Sequence, residues 1–306
     1  MSEIKETSDF IETEVFYLVK DLKHDKEKPY ELAYDVGGLI PQTNMSYQPH
    51  QVSIYNFREL QNSDSFSEYG FTIAKLGCAL TATDFNDDTI VRDRYYPAVE
   101  TLLWETFPHA AAVRIIEHGL RKRSAEFPGG GEASKDIQPA IRVHADYSIN
   151  SADRTARAFF KDVSEDYQRL VTVNFWKSFQ GPGNDWPLAL CDHRTIDHRS
   201  ESISADVVFD NRFTENQRFY HSSAHRWYYF KDLGTDEVVM FRQTDSDLEQ
   251  GGGKLGMLSH GPDSRERAYS DIVNTGVAHT SFHNPHASVD AAPRESIELR
   301  AFVFFS

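Results

Sequence analysis

The stretch IRVHADYS, residues 141–148, sets an imidazole and a carboxylate two residues apart, at His144 and Asp146. In an extended strand successive side chains alternate, so this pair shares one face, about 7 Å apart along the backbone, while Val143 and Ala145 take the other. Two such side chains can converge on one metal ion, and a further histidine from a distant strand would complete a 2-His-1-carboxylate set. That set leaves three coordination positions open and suits non-haem Fe(II) oxygen chemistry. The triplet alone is weak evidence, because a chain of 306 residues with 13 histidines and 26 aspartates delivers about one by composition. A half-buried strand with an exposed histidine and a turn-bonded aspartate satisfies the same pattern.

The C-terminal segment VAHTSFHNPHASVDAAPRESIELRAFVFF, residues 277–305, supplies three candidates for the third ligand: His279, His283 and His286. Arg294 and Ser296 follow at the start of a closing strand and share a face. A guanidinium fork beside a hydroxyl suits the distal carboxylate of a dicarboxylic cosubstrate, because a bidentate pair fixes orientation as well as charge.

Bringing residues 144 and 279 onto one ion requires strands that meet across a long sequence separation. Short β-branched or apolar runs recur at 111–119, 139–148, 170–179, 204–210, 225–230, 237–243 and 296–305, with turn residues between them. One long helix is expected at 90–107, where Val99, Leu102, Leu103 and Trp104 cluster within about a turn and Pro97 marks a kink or late start. A mixed N-terminal third followed by so many strands favours a double-layered β-sandwich or barrel over an alternating α/β fold. The glycine-rich runs FPGGGEASKD and LEQGGGKLGM read as surface loops, since neither carries a phosphate-loop pattern.

Composition narrows the class. A chain that is 40% hydrophobic buries a sizeable core, and a net charge of −15 opposes nucleic acid and anionic membrane surfaces. Cys78 and Cys191 stand too far apart in sequence to suggest a disulfide framework or a zinc cluster, so a cytoplasmic protein is expected. The acidic opening MSEIKETSDF has no signal-peptide character, and no stretch is long and apolar enough for a membrane span.

Seven motifs in order, EKPYEL (27–32), RVHADYS (142–148), VNFWK (173–177), PLALCD (187–192), HRWYYF (225–230), HTSF (279–282) and PRESIELR (293–300), cover nearly the whole chain. Together they resemble the Fe(II)/2-oxoglutarate-dependent oxygenases. Within these, they look like the hydroxylase/desaturase family that includes the cephamycin 7α-hydroxylase component, fungal gibberellin desaturase and the aspergillic-acid pathway enzyme. The resemblance implies a mainly β fold with flanking helices, a double-stranded β-helix of the jelly-roll, cupin-like type. It makes His144, Asp146 and His279 the metal ligands and catalytic residues, with His279 preferred because HTSF is the family's motif. His283 stays open, having the shorter spacing to the arginine. Arg294 and Ser296 would bind 2-oxoglutarate; Fe(II), 2-oxoglutarate and O2 would be the cofactor and cosubstrates. The implied reaction couples decarboxylation to succinate with hydrogen abstraction from a C–H bond of a small natural-product intermediate. Hydroxylation, desaturation or ring formation then follows according to pocket geometry.

Residues 1–306 read as one oxygenase domain: a mixed α/β part at about 1–110, a β-helix core at about 111–306, and an insertion expected to act as a lid at about 248–276. Asn174 and Trp176 share a strand face with Thr172 and are substrate-pocket candidates, as are Arg226 and Tyr228, although a core position for Trp176 fits equally well. Arg121 and Arg123 read as a solvated basic patch in preference to an anchor for an acidic substrate. Oligomeric state is open, with a homodimer as one option. The alternative function is a cupin-like β-barrel metal-binding protein or lyase without 2-oxoglutarate turnover. An inert module would have no use for Arg294.

Overall fold

A computed structural model describes residues 8–129, 136–163, 167–181, 185–249, 276–288 and 290–306. The strands are β1 (Phe10–Leu18), β2 (Tyr30–Leu32), β3 (Tyr47–Asn56), β4 (Phe71–Lys75), β5 (Ala112–Lys122), β6 (His144–Ala145), β7 (Arg169–Ser178), β8 (Leu188–Cys191), β9 (Ser202–Val208), β10 (Phe213–Phe219), β11 (Trp227–Tyr229), β12 (Glu237–Asp245), β13 (His279–Ser281) and β14 (Glu295–Phe305). They form a nine-stranded sheet ordered β1-β3-β11-β8-β13-β6-β10-β9-β2 and a five-stranded sheet ordered β4-β12-β7-β14-β5. This is the double-layered β architecture expected from the sequence. Strands from the first 110 residues pair directly within both sheets.

Period-two alternation explains how β7 serves two layers. Val171, Val173 and Phe175 point outward and pack with Val99 and Leu103 of the helix Tyr96–Thr106. On the other face Trp176 joins Leu188, Leu190, Tyr228, Val239 and Phe241, which fill the space between the two sheets. Such an apolar core excludes water from whatever polar groups remain inside it, so those groups must find partners there.

The expected helix at 90–107 is present but segmented: a wider π turn over Val91–Tyr95 precedes Tyr96–Thr106. Pro97 sits at the start of the second segment, where its missing N–H and its ring clash with the preceding turn oppose regular α geometry. Trp104, expected on the packed face, is instead 43% exposed. The strand expected at 139–148 shrinks to His144–Ala145, because Ser148 caps a helix, Ile149–Phe159, through reciprocal bonds with Ser151. Neither that helix nor β10 is anticipated by apolar periodicity. The lid expected at about 248–276 lies outside the described residues except at its flanks. Among the described residues no helix is long and apolar enough to cross a membrane.

Candidate metal centre

Strands β6 and β13 lie side by side with His144 and His279 directly opposite one another. Opposed residues project from the same face, and the two rings sit 4.3 Å apart. Asp146 follows two residues after His144, and its Oδ1 comes within 3.4 Å of His144 Nε2. One ligand atom from each of the three residues lies within 4.8 Å of the others. Of the three downstream histidines only His279 joins the pair. His283 packs its ring 5.5 Å from that of Trp186, and His286 lines a separate cavity with Asp9 and Lys231.

Hydrogen bonds determine which atoms face inward. His144 Nδ1 donates to the Arg142 carbonyl at 2.8 Å and His279 Nδ1 to the Val277 carbonyl at 3.2 Å, in each case two residues back. A carbonyl can only accept, so both rings carry their proton on Nδ1 and present a lone pair at Nε2. Asp146 Oδ2 accepts from Asn174 Nδ2 at 2.7 Å and from Arg300 Nε at 2.9 Å, which leaves Oδ1 toward the imidazoles. The Asp146 backbone N–H donates to Gln243 Oε1 at 2.6 Å and fixes the turn that follows β6.

Burial and the neighbouring His144 push His279 down to about 3, so its ring is neutral near pH 7. Burial opposes ionisation of Asp146, but Arg300 and the two histidines outweigh it and hold the carboxyl well below the usual range. A neutral imidazole at His279 and an ionised carboxylate at Asp146 are already in ligand form. With the Nε2 lone pair of His144 they make a donor set that fits a divalent first-row metal.

Asn174 orients that carboxylate from β7. If these three residues hold a divalent metal, Asn174→Ala should weaken its binding by roughly 10- to 100-fold, the usual effect of removing a partner of a metal-binding carboxylate. An Fe(II) titration of the folded variant checks this, and unchanged affinity would assign the orientation to Arg300 alone.

Beside the three residues runs a narrow slot lined by Asn174, Trp176, His279, Ser281, Arg294 and Glu298, among others. Arg294 is only 2% exposed. Its Nε donates to Ser296 Oγ at 3.1 Å, its Nη1 donates to the Trp186 carbonyl at 3.1 Å and to Ser281 Oγ, and its guanidinium lies 4.9 Å over the Trp176 ring. All these partners are neutral. Burial and nearby Arg121 push the guanidinium down to about 9, against the weaker pull of Glu298 and Asp185, neither of which forms an ion pair with it among the described residues. His279 and Ser281 share a face of β13, so HTSF contributes both to the His–Asp–His cluster and to the setting of Arg294.

On the other side His144 and Asp146 open into a larger cleft of about 890 Å³, walled by Tyr147, Phe159, Phe209, Phe213 and several arginines. Asn174 and Trp176 line the slot, not this cleft. Two of the expected pocket residues are elsewhere. Tyr228 is buried in the aromatic cluster around Phe57 and Phe71, and Arg226 donates from Nη1 to the Ser223 carbonyl at 3.1 Å, so neither lines the slot or the cleft. The solvated basic patch also needs correction: Arg121 is clamped in two places on Glu298, at 2.8 and 3.0 Å, and Arg123 pairs with Asp185 at 2.5 Å. Sequence reasoning missed the contribution of Glu298 and the grip of Arg300 on Asp146. The signal was available, since Arg294, Ser296, Glu298 and Arg300 alternate along one strand.

A family model described as an oxidoreductase/YMDC permease-like domain (YDMC) matches residues 15–304. The chain belongs to this oxidoreductase family. Among curated relatives, the "Fe(II)/2-oxoglutarate-dependent dioxygenase nvfI" of Aspergillus novofumigatus is 27% identical over 309 residues, covering 96% of each chain. The "Hydroxylase/desaturase efuI" of Hormonema carpetanum is 23% identical over 289 residues, covering 88% of each. A solved structure of the iron and alpha-ketoglutarate-dependent endoperoxidase NvfI superposes with a TM-score of 0.76 at 22% identity, over 98% of this chain and all of that one, and shares its fold. The motif resemblance and the jelly-roll, cupin-like fold class are both borne out by these relatives.

Proposed function

We propose that His144 Nε2, Asp146 Oδ1 and His279 Nε2 hold Fe(II), and that Arg294, with Ser296 and Ser281 beside it, takes the distal carboxylate of 2-oxoglutarate. The protein is an Fe(II)/2-oxoglutarate-dependent dioxygenase acting on a small natural-product intermediate. The observation that carries the reading is the opposed pair His144 and His279 with Asp146 on the same face, their ligand atoms within 4.8 Å of one another. Fe(II) in such a set brings O2 to bear on an unactivated C–H bond while 2-oxoglutarate becomes succinate and CO2.

The remaining work belongs to the chain. Asn174 and Arg300 keep Asp146 Oδ2 occupied so that Oδ1 alone faces the ligands. Trp176, Leu188 and Phe241 wall the slot and restrict water there. The cleft on the far side of His144 positions the substrate carbon, and its shape selects among hydroxylation, desaturation and cyclisation. Two free cysteines, Cys78 and Cys191, suit a reducing compartment, so the enzyme is assigned to the cytoplasm.

Anaerobic addition of Fe(II) and then 2-oxoglutarate should produce a weak visible charge-transfer band, and aerobic screening should release succinate. Binding of Fe(II) with neither band nor succinate would point to a metal-binding protein or lyase instead.

A further inference from the structure

We infer that the substrate is an apolar molecule bearing a carboxylate, held by Arg154 and Arg212 at the mouth of the large cleft; the inference rests on the oxygenase reading above. The protein carries a net charge of −15, yet six arginines line this cleft against three carboxylates: Arg121, Arg142, Arg154, Arg212, Arg218 and Arg300 against Glu31, Glu117 and Asp146. Four of the six are committed. Arg121 is clamped on Glu298; Arg142 and Arg218 share Glu31, at 3.0 and 3.3 Å; Arg300 bridges Asp146 and Glu117, at 2.9 and 2.8 Å. Fe(II) and the 2-oxoglutarate dianion cancel each other. Arg154 and Arg212 are left, and neither meets a carboxylate among the described residues.

Both are held in place by aromatic rings. The Arg154 guanidinium lies 5.9 Å from the Phe213 ring centre, and that of Arg212 lies 4.9 Å from the Phe209 ring centre. Phe159 and Phe213 are each 60% exposed on the same rim, an apolar surface that an apolar skeleton would cover. Deeper in the wall, Arg218 Nε is a buried donor and Asn216 Oδ1 a buried acceptor, each without a partner among the described residues. Hydroxyl or carbonyl groups on the skeleton would satisfy them. A cleft of about 890 Å³ has room for a molecule of several rings.

The test uses the Fe(II)-loaded enzyme in saturating 2-oxoglutarate without oxygen, with 1-pyrenebutanoate and its methyl ester as fluorescent probes. The acid should bind roughly ten-fold tighter than the ester, about what two exposed arginines supply. That preference should shrink as salt is raised. In the double variant Arg154→Gln, Arg212→Gln the two probes should bind alike, while the charge-transfer band keeps its 2-oxoglutarate dependence. Equal binding of the probes to the wild type, binding of neither, or an acid preference that survives the double variant would each overturn the inference. Absence of the band in the wild type would instead sink the iron and 2-oxoglutarate reading.

Discussion

Replacing His279 with alanine is expected to lower succinate formation by roughly three orders of magnitude or more, while His283→Ala and His286→Ala leave it near the wild-type rate. Loss of a mere partner of a ligand costs about 10- to 100-fold, and loss of the ligand itself must exceed that. His144→Ala should match His279→Ala, because the two rings face each other across β6 and β13 and neither can substitute for the other. The fold should survive both changes, since the strands are held by backbone pairing that alanine keeps. Asp146→Ala is a poorer probe: it strips Arg300 of one of its carboxylates in a buried setting, so stability and catalysis would fall together. Bound iron measured by titration, beside a melting curve, separates the two effects. If His283→Ala proves to be the inactive variant, the third ligand has been misassigned.

How far the sequence could be read depended on which way each strand faced. The HxD pair was legible because period two is a rigid property of a strand, and Val143 and Ala145 do pack on the opposite face, in the apolar cluster with Val15 and Phe219. Apolar alternation failed where polar side chains line a cleft. In β10, Asn216 and Arg218 face the cleft, and the intervening Glu215 and Gln217 bind Lys28 and Ser204, so little apolar signal remains. The same applies to Ile149–Phe159, whose capping box at Ser148 and Ser151 is the only strong local mark of a helix start. HRWYYF misled for the opposite reason: Trp227 and Tyr229 pack into one cluster and Tyr228 and Phe230 into another, so both faces are core and alternation carries no information about a pocket. Arg121 looks solvated within LRKRS because its partner, Glu298, lies 177 residues further along the chain.

Arg294→Leu is expected to raise the 2-oxoglutarate requirement by roughly 30- to several-thousand-fold, which corresponds to about 2 to 5 kcal/mol for a desolvated carboxylate that loses its cationic partner. Fe(II) affinity should hold, since the hydrogen bonds of Arg294 run to Ser296, Ser281 and the Trp186 carbonyl and none touches a proposed ligand. Arg294→Lys should be nearly as severe, because one ammonium cannot reproduce a planar fork that is also stacked on Trp176. Stability supplies an independent readout. In the wild type the guanidinium hydrogen-bonds only to neutral groups, which leaves it open to a carboxylate, and 2-oxoglutarate at 100 times its dissociation constant should stabilise the iron-loaded protein by about 2.7 kcal/mol. In Arg294→Leu the stabilisation by the same concentration of 2-oxoglutarate should fall below about 1 kcal/mol, whereas the Tm without cosubstrate should fall less than breaking a buried ion pair would cause, because the change also relieves the desolvation of a guanidinium with no carboxylate in contact. Should the variant keep both its 2-oxoglutarate titration and its thermal shift, the carboxylate must sit on Arg121, the other arginine of the slot. Arg300 and Arg226 are excluded by position, since neither lines the slot.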